Sequence, residues 1–209
     1  MKPRRYSVGV VLDHLKRQGK IYNPVTENII NNTKRNRLSI QRQIKRYQKD
    51  KLVLISCSKS KAFTGNKTMR ASEAYCSPLF QKSKMFAQDR GLDYAILSAK
   101  HGLVWPNEQI SDYDLTLSEL TPAEREKWSQ NVAKEIHRWR SSTSRGTAKV
   151  IVLAGKSYTE PLTRELWNHI GITLELEEPL EGLQVGERLA KLNRENLQGK
   201  KWREVKKNG

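Results

Sequence analysis

Cysteine is scarce, with only Cys57 and Cys76 in 209 residues. Two thiols are too few for a disulfide scaffold, and they lack the CxxC spacing of a zinc module. Both are expected to be reduced, and the sequence calls for neither a metal nor a cofactor. No apolar run has the length of a membrane-spanning helix. The opening MKPRRYSVGV is basic but has no long apolar core and no small-residue cleavage site, so no signal peptide is read there and a cytoplasmic location is expected. Acidic side chains are also in deficit, since 22 Asp and Glu face 39 Lys and Arg for a formal net charge of +17. Internal repeats are missing, and the only compositionally biased stretch is the basic C-terminal end.

The positive excess is unevenly placed. Residues 1–50 carry 13 Lys and Arg against 3 Asp and Glu, and residues 199–209 carry 5 against 1, which leaves +3 for residues 51–198. A nearly balanced middle with two basic flanks is the layout of a globular domain whose arms neutralise phosphates. Nucleic acid, above all double-stranded DNA, therefore leads over an anionic membrane surface as the expected partner. The expected organisation is a basic helical extension over 1–50, an α/β domain over 51–198 and a basic, poorly ordered tail over 199–209.

Along the chain, Ser7 is placed to cap a short helix carrying Val8, Val11, Leu12 and Leu15 at helical spacing, with Gly19 as its stop. After an Asn-rich polar stretch, Leu38–Gln48 reads as a second helix with Arg42, Lys45 and Arg46 on a basic face. Leu52–Ile55 is a buried strand that runs directly into Cys57-Ser58-Lys59-Ser60-Lys61. Ala62–Tyr75 has no sustained period and reads as a long loop. Ser77 caps a helix with Pro78 at its first position and Gly91 as its stop, with Leu79, Phe80, Phe86 and Ala87 facing the core. Tyr94–Leu97 is a second apolar strand and empties into Ser98-Ala99-Lys100-His101-Gly102, followed by a loop over Leu103–Leu117. Thr121, Pro122 and Glu124 make a capping box ahead of a helix striped by Trp128, Val132, Ile136 and Trp139. Lys149–Leu153 is a third strand with the exit Ala154-Gly155-Lys156-Ser157, where Ser157 and Glu160 read as another capping box for a helix bearing Leu162, Leu166 and Ile170. A fourth strand over Ile172–Leu176, a turn at Pro179-Leu180 and a last helix over Val185–Leu197 complete the pattern.

Strands separated by helices imply an α/β fold: a mainly parallel central sheet with flanking helices, plus the small basic N-terminal extension. Right-handed crossovers place the C-terminal ends of all parallel strands on one edge, where ligands of open sheets bind. Ser58, Lys59, Ser60 and Lys61 thus meet Lys100, His101, Lys156 and Ser157 there, beside the helix starts at Ser77 and Ser157, in an arrangement suited to phosphate. Gly155-Lys156-Ser157 is not a P-loop, because the glycine that motif needs five positions earlier is Val150, inside the strand. Cys57 next to this lysine-rich exit reads as a buried strand-end thiol rather than a nucleophile. Among the few carboxylates, Asp112 and Asp114 flank Tyr113. In such a pocket Asp114 either orients water or stabilises an oxocarbenium-like centre, or else it caps a turn or pairs structurally with a lysine; Asp112 is read as the spectator.

Several of these segments occur together in a known family. LVLISCSKSK (52–61), YCSPLFQKS (75–83), YAILSAKHGLV (94–104), YDLTL (113–117), VIVLAGKSY (150–158) and GLQVGERLAKL (182–192) resemble the YaaA-related proteins, named for a bacterial peroxide-stress protein, and especially their short relatives. The resemblance spans about Leu52 to Leu192. It implies a DNA-binding α/β domain with a positively charged cleft, and some relatives are linked to base excision or DNA-glycosylase chemistry. Carried over by position, Ser58, Lys59, Lys61, Ser77, Lys100, His101, Tyr113, Asp114, Lys156 and Tyr158 would line that cleft. The helix-hairpin-helix that contributes to DNA binding in the family has only an echo at 182–192, and the basic extension is expected to take its place. The expected function is a DNA glycosylase-type N-glycosidase acting on a modified or damaged base flipped into the lysine-rich pocket, with Asp114, Tyr113 and His101 as catalytic residues. A non-catalytic DNA-binding protective or regulatory protein, and a nucleoside or nucleotide N-glycosidase, are the alternatives.

Overall fold

Leu52, Val53, Leu54 and Ile55 are buried on both faces of their strand, as only a central strand of a covered sheet can be. The computed structural model describes residues 8–63, 68–143, 148–169 and 174–207. In chain order the elements are α1 (Val8–Arg17), β1 (Lys20–Asn23), β2 (Asn28–Asn31), α2 (Lys34–Gln48), β3 (Lys51–Ser56), β4 (Met69–Arg70), α3 (Ala71–Ala74), α4 (Pro78–Arg90), β5 (Asp93–Ser98), β6 (Gly102–Val104), β7 (Gln109–Ile110), α5 (Pro122–Thr143), β8 (Ala148–Leu153), α6 (Lys156–His169), β9 (Leu174–Glu177) and α7 (Val185–Lys207). A 3₁₀ turn, Leu117–Glu119, precedes α5.

The central sheet has the order β6-β5-β3-β8-β9. Strands β5, β3, β8 and β9 are parallel to their neighbours, and β6 closes one edge antiparallel to β5. This is the expected α/β fold with a mostly parallel sheet. Alternation along the strands divides the core in two. Leu52, Leu54, Ala95 and Leu97 meet α5 and α6 through Trp128, Val132, Ile136, Leu162 and Leu166 on one face. Val53, Ile55, Tyr94 and Ile96 meet α4 and α7 through Phe80, Phe86, Ala87 and Leu192 on the other. Among the described residues no helix is long and apolar enough to cross a membrane.

Local capping signals are realised where the chain is free to use them. Ser77 Oγ accepts from Phe80 N at 3.2 Å with Pro78 at the first position, and Gly91 ends α4 at φ 64°. Glu124 accepts from Thr121 N at 2.8 Å while Thr121 Oγ1 accepts from Glu124 N at 3.3 Å, which is the reciprocal box expected for α5. The box at Ser157 and Glu160 does not form, because α6 starts one residue earlier and the Gly155 carbonyl accepts from Tyr158 N and Thr159 N. Ser157 is exposed in the first turn.

Other expectations are corrected by pairing that no local period reveals. The Asn-rich stretch is a β-hairpin in which β1 pairs antiparallel with β2, turned at Glu27 with φ 57°. The α2 helix begins at Lys34 rather than Leu38, capped by Thr33. Two of the supposed loops hold β4 and β7, which pair with each other, and β6, which joins the main sheet. The cap at Ser7 and the apolar positions Ile170 and Ile172 lie outside the described residues. Residues 199–207 of the tail are helical: α7 runs through Lys207, and Trp202 and Val205 are buried against Tyr22, Ile40 and Ile44. The Tyr47 and Trp202 rings sit 4.5 Å apart. Both basic flanks therefore share one small apolar core.

Candidate functional site at the strand exits

Because β5, β3 and β8 are adjacent and parallel, their three exits emerge side by side. Cys57 N extends the ladder to Leu97 O at 2.9 Å before the chain turns away. Ser58 Oγ then donates to Ser60 O at 2.8 Å, and Lys61 bridges to Tyr75 while Cys76 N donates to Ser60 O. That pairing brings the Ser58–Lys61 loop against the segment leading into α4. Ser77, whose hydroxyl is engaged as the α4 cap, lies one residue beyond the contact. On the third exit, Lys156 is highly exposed and 3.7 Å from Glu160, its partner one turn along α6.

Tyr113 is the hub of the edge. Its hydroxyl lies 2.9 Å from Tyr75 Oη and 2.8 Å from Ser98 Oγ, and Ser98 Oγ in turn accepts from His101 N at 3.1 Å. Trp128 Nε1 donates to Ser98 O at 2.8 Å, which ties α5 to the same point. Around the Tyr113 ring stand His101, edge-on at 5.2 Å, with Lys61 Nζ at 4.3 Å and Lys100 Nζ at 5.7 Å from its centroid. Burial pushes the Tyr113, Tyr75 and Tyr158 hydroxyls well above the usual tyrosine range, so all three keep their protons. Cys57 Sγ sits 3.1 Å from Tyr158 Oη. His101 is pulled below the usual histidine value, first by burial and then by Lys100, against a weaker opposing bond with the Ser111 backbone; it is neutral at pH 7.

Next to this hub is an open cleft of about 510 Å³ lined by Lys59, Lys61, Asp112, Tyr113 and Asp114. Asp112 Oδ1 accepts from Tyr113 N at 2.8 Å, a local bond that fixes the loop. Asp114 is exposed and makes no hydrogen bond or ion pair among the described residues. The structure thus brings together Ser58, Lys59, Ser60, Lys61, Lys100, His101, Tyr113 and Asp114, with Ser77, Lys156, Ser157 and Tyr158 along the same edge. The Tyr113 hydroxyl faces inward, so it holds the loop that presents Asp114.

Arg42, Lys45 and Arg46 are not part of this edge. The last turn of α2 donates through Gln48 to the Arg90 carbonyl at the far end of α4, and Asp50 O accepts from Lys149 N at the start of β8. That is the edge where the parallel strands begin. Sequence reasoning missed Tyr75 and Ser98 as partners of Tyr113, and it missed a second, larger cavity of about 860 Å³ between β6 and α5. The signal for the cavity wall was present in the 4-3-4 spacing of Lys127, Asn131, Lys134 and Arg138. Among the described residues no group of three His, Cys, Asp or Glu side chains is placed to hold a metal ion.

Residues 52–194 match the family model of DUF6884, a family of unknown function. The chain belongs to the DUF6884 family. It is also 28% identical over 149 residues to the Uncharacterized protein YfjM of Bacillus subtilis (strain 168), a match covering 69% of this chain and 93% of that protein. The DUF6884 segment contains all three exits, Tyr113 and Asp114. The shared core of Tyr22, Ile40, Ile44, Trp202 and Val205 lies wholly outside it.

Proposed function

We propose that this DUF6884 protein is a cytoplasmic, nucleic-acid-acting N-glycosidase whose substrate is a modified or damaged base flipped out of duplex DNA into the strand-exit cleft. The observation that carries the reading is Asp114, an exposed carboxylate with no hydrogen bond or ion pair among the described residues, which lines the same cleft of about 510 Å³ as Lys59 and Lys61. The resemblance to the YaaA-related proteins supports it. Lys59, Lys61 and Lys100 hold the phosphates flanking the flipped nucleotide. As the C1′–N bond breaks and its electron pair leaves with the base, Asp114 stabilises the cationic sugar and orients the water whose oxygen bonds to C1′. The water proton passes to Asp114 and on to solvent. Neutral His101 offers one ring nitrogen as a hydrogen-bond partner to the base. Tyr113 is a positioning residue.

The test is mass spectrometry of bases released from genomic DNA carrying varied modifications. Asp114→Asn is expected to lower release by about 100-fold or more, the usual weight of a positioned general base, with DNA affinity within twofold of wild type. Unchanged release in the variant removes Asp114 from the chemistry. Release of no base from any substrate overturns the enzyme reading and leaves a DNA-binding protein without catalysis. That second reading draws on the basic flanks outside the DUF6884 match.

A further inference from the structure

The cavity between β6 and α5 adjoins the Asp114 cleft across the Tyr113 ring, which lines the cleft. Lys100 and His101 line it, and both also stand against the Tyr113 ring. From there it follows one face of α5 past Lys127, Asn131, Lys134 and Arg138, with half-buried Trp105 on the opposite side. At 1.5 Å per residue the stretch from Lys127 to Arg138 is roughly 16 Å long.

The groove is lined by the cations Lys100, Lys127, Lys134 and Arg138 and by the carboxylates Glu108, Glu124 and Glu135, so with His101 neutral the cations exceed the anions by one. Glu108 accepts from Trp105 N at 2.8 Å, Glu124 is bonded to Thr121 N and Oγ1, and Glu135 is paired with Arg138. Lys100, Lys127 and Lys134 make no hydrogen bond or ion pair among the described residues. Three ammonium groups without such a partner, lining one groove with an indole ring, match a phosphate backbone with exposed bases. A duplex would hide its bases from Trp105, whereas an unpaired base presents a π-face to it.

We infer that this groove holds a single nucleic-acid strand and guides it to the Asp114 cleft. The inference rests on the nucleic-acid reading above and deepens it by naming the strand state at the site: the flipped nucleotide is entered from a locally unpaired strand. The occupant is a nucleic acid rather than a run of Asp and Glu, because each nucleotide carries a planar base beside its phosphate and can stack on Trp105.

The test is fluorescence anisotropy of the full-length protein with a labelled twelve-residue oligo-dT and with a duplex of equal length. Lys127→Ala with Lys134→Ala is expected to weaken oligo-dT binding about tenfold near 0.1 M salt and to reduce the salt slope by about 1.4, two contacts at about 0.7 each. Duplex binding should change less than twofold, since α2 supplies cations at the other edge. Trp105→Leu is expected to weaken oligo-dT binding about fivefold or more with the slope unchanged. Lys127→Arg with Lys134→Arg should restore binding, which separates charge from folding. Equal loss on both ligands, unchanged oligo-dT affinity, or competition by polyglutamate as strong as by oligo-dT overturns the groove. The measurement needs no base release. A failed glycosidase and a failed groove are therefore distinguishable.

Discussion

Tyr113 shows how one side chain can organise an edge without reacting there. Its hydroxyl joins Tyr75, which is fully buried, to Ser98 at the end of β5, and its backbone N–H is held by Asp112. Tyr113→Phe keeps the ring but removes the buried hydroxyl that links Tyr75 to Ser98. The expected cost is about 1–3 kcal/mol, the penalty for a buried polar group left without its partner, read as a lower urea midpoint at unchanged m-value. Base release should fall less than in Asp114→Asn, because the carboxylate is loosened rather than removed. The sequence pointed to Tyr113 and Asp114 through their company of lysines. It did not point to Tyr75, 38 positions away, since a hydrogen bond between distant segments leaves no trace in local spacing.

At the scale of elements, legibility followed the range of the forces involved. The strands β3, β5 and β8 and the helices α4 and α5 were readable because apolar runs and caps act within a few residues. The hairpin of β1 and β2 was not, since Ile21-Tyr22 and Ile29-Ile30 are too short to show a period among asparagines. The α7 helix was cut short for a related reason: Gly199 reads as a helix stop in isolation, yet it sits inside α7. There a Cβ would lie 2.9 Å from Asp89 Cβ and 3.0 Å from Arg90 Nη1, so the glycine is what lets α7 approach α4. The approach is fixed by Arg203 on Asp89, Arg90 on Glu195, and Asn196 Nδ2 donating to Lys82 O at 2.9 Å. Gly199→Ala gains helix propensity of about 1 kcal/mol but overpacks a rigid contact at about 1–3 kcal/mol. The net expectation is destabilisation measured by urea unfolding, whereas Gly186→Ala, with nothing within 4 Å, should not destabilise.

The whole molecule has two cationic regions on opposite edges of one sheet. Composition located the basic flanks in the sequence, but not that they fold on each other. Helix α2 carries six Lys and Arg and no acidic residue, and its apolar face, Ile40 and Ile44, shares a core with Trp202 and Val205. Deleting residues 1–50 would therefore strip the end of α7 as well as remove charge. Arg42→Gln, Lys45→Gln and Arg46→Gln together form the cleaner test. Duplex affinity should weaken with a salt slope lower by up to about 2.7, three contacts at about 0.9 each. Base release from saturated complexes should be unchanged, because the exit edge is untouched.

The pairing of Tyr47 with Trp202 also has a consequence in time, since 155 positions separate the two residues in the sequence. At about 5–20 residues per second of translation, Tyr47 is made roughly 8–30 s before the tryptophan it packs on. During that interval Ile40 and Ile44 belong to a highly cationic nascent segment with an unfinished core. The extension leaves the ribosome before the residues that complete its core.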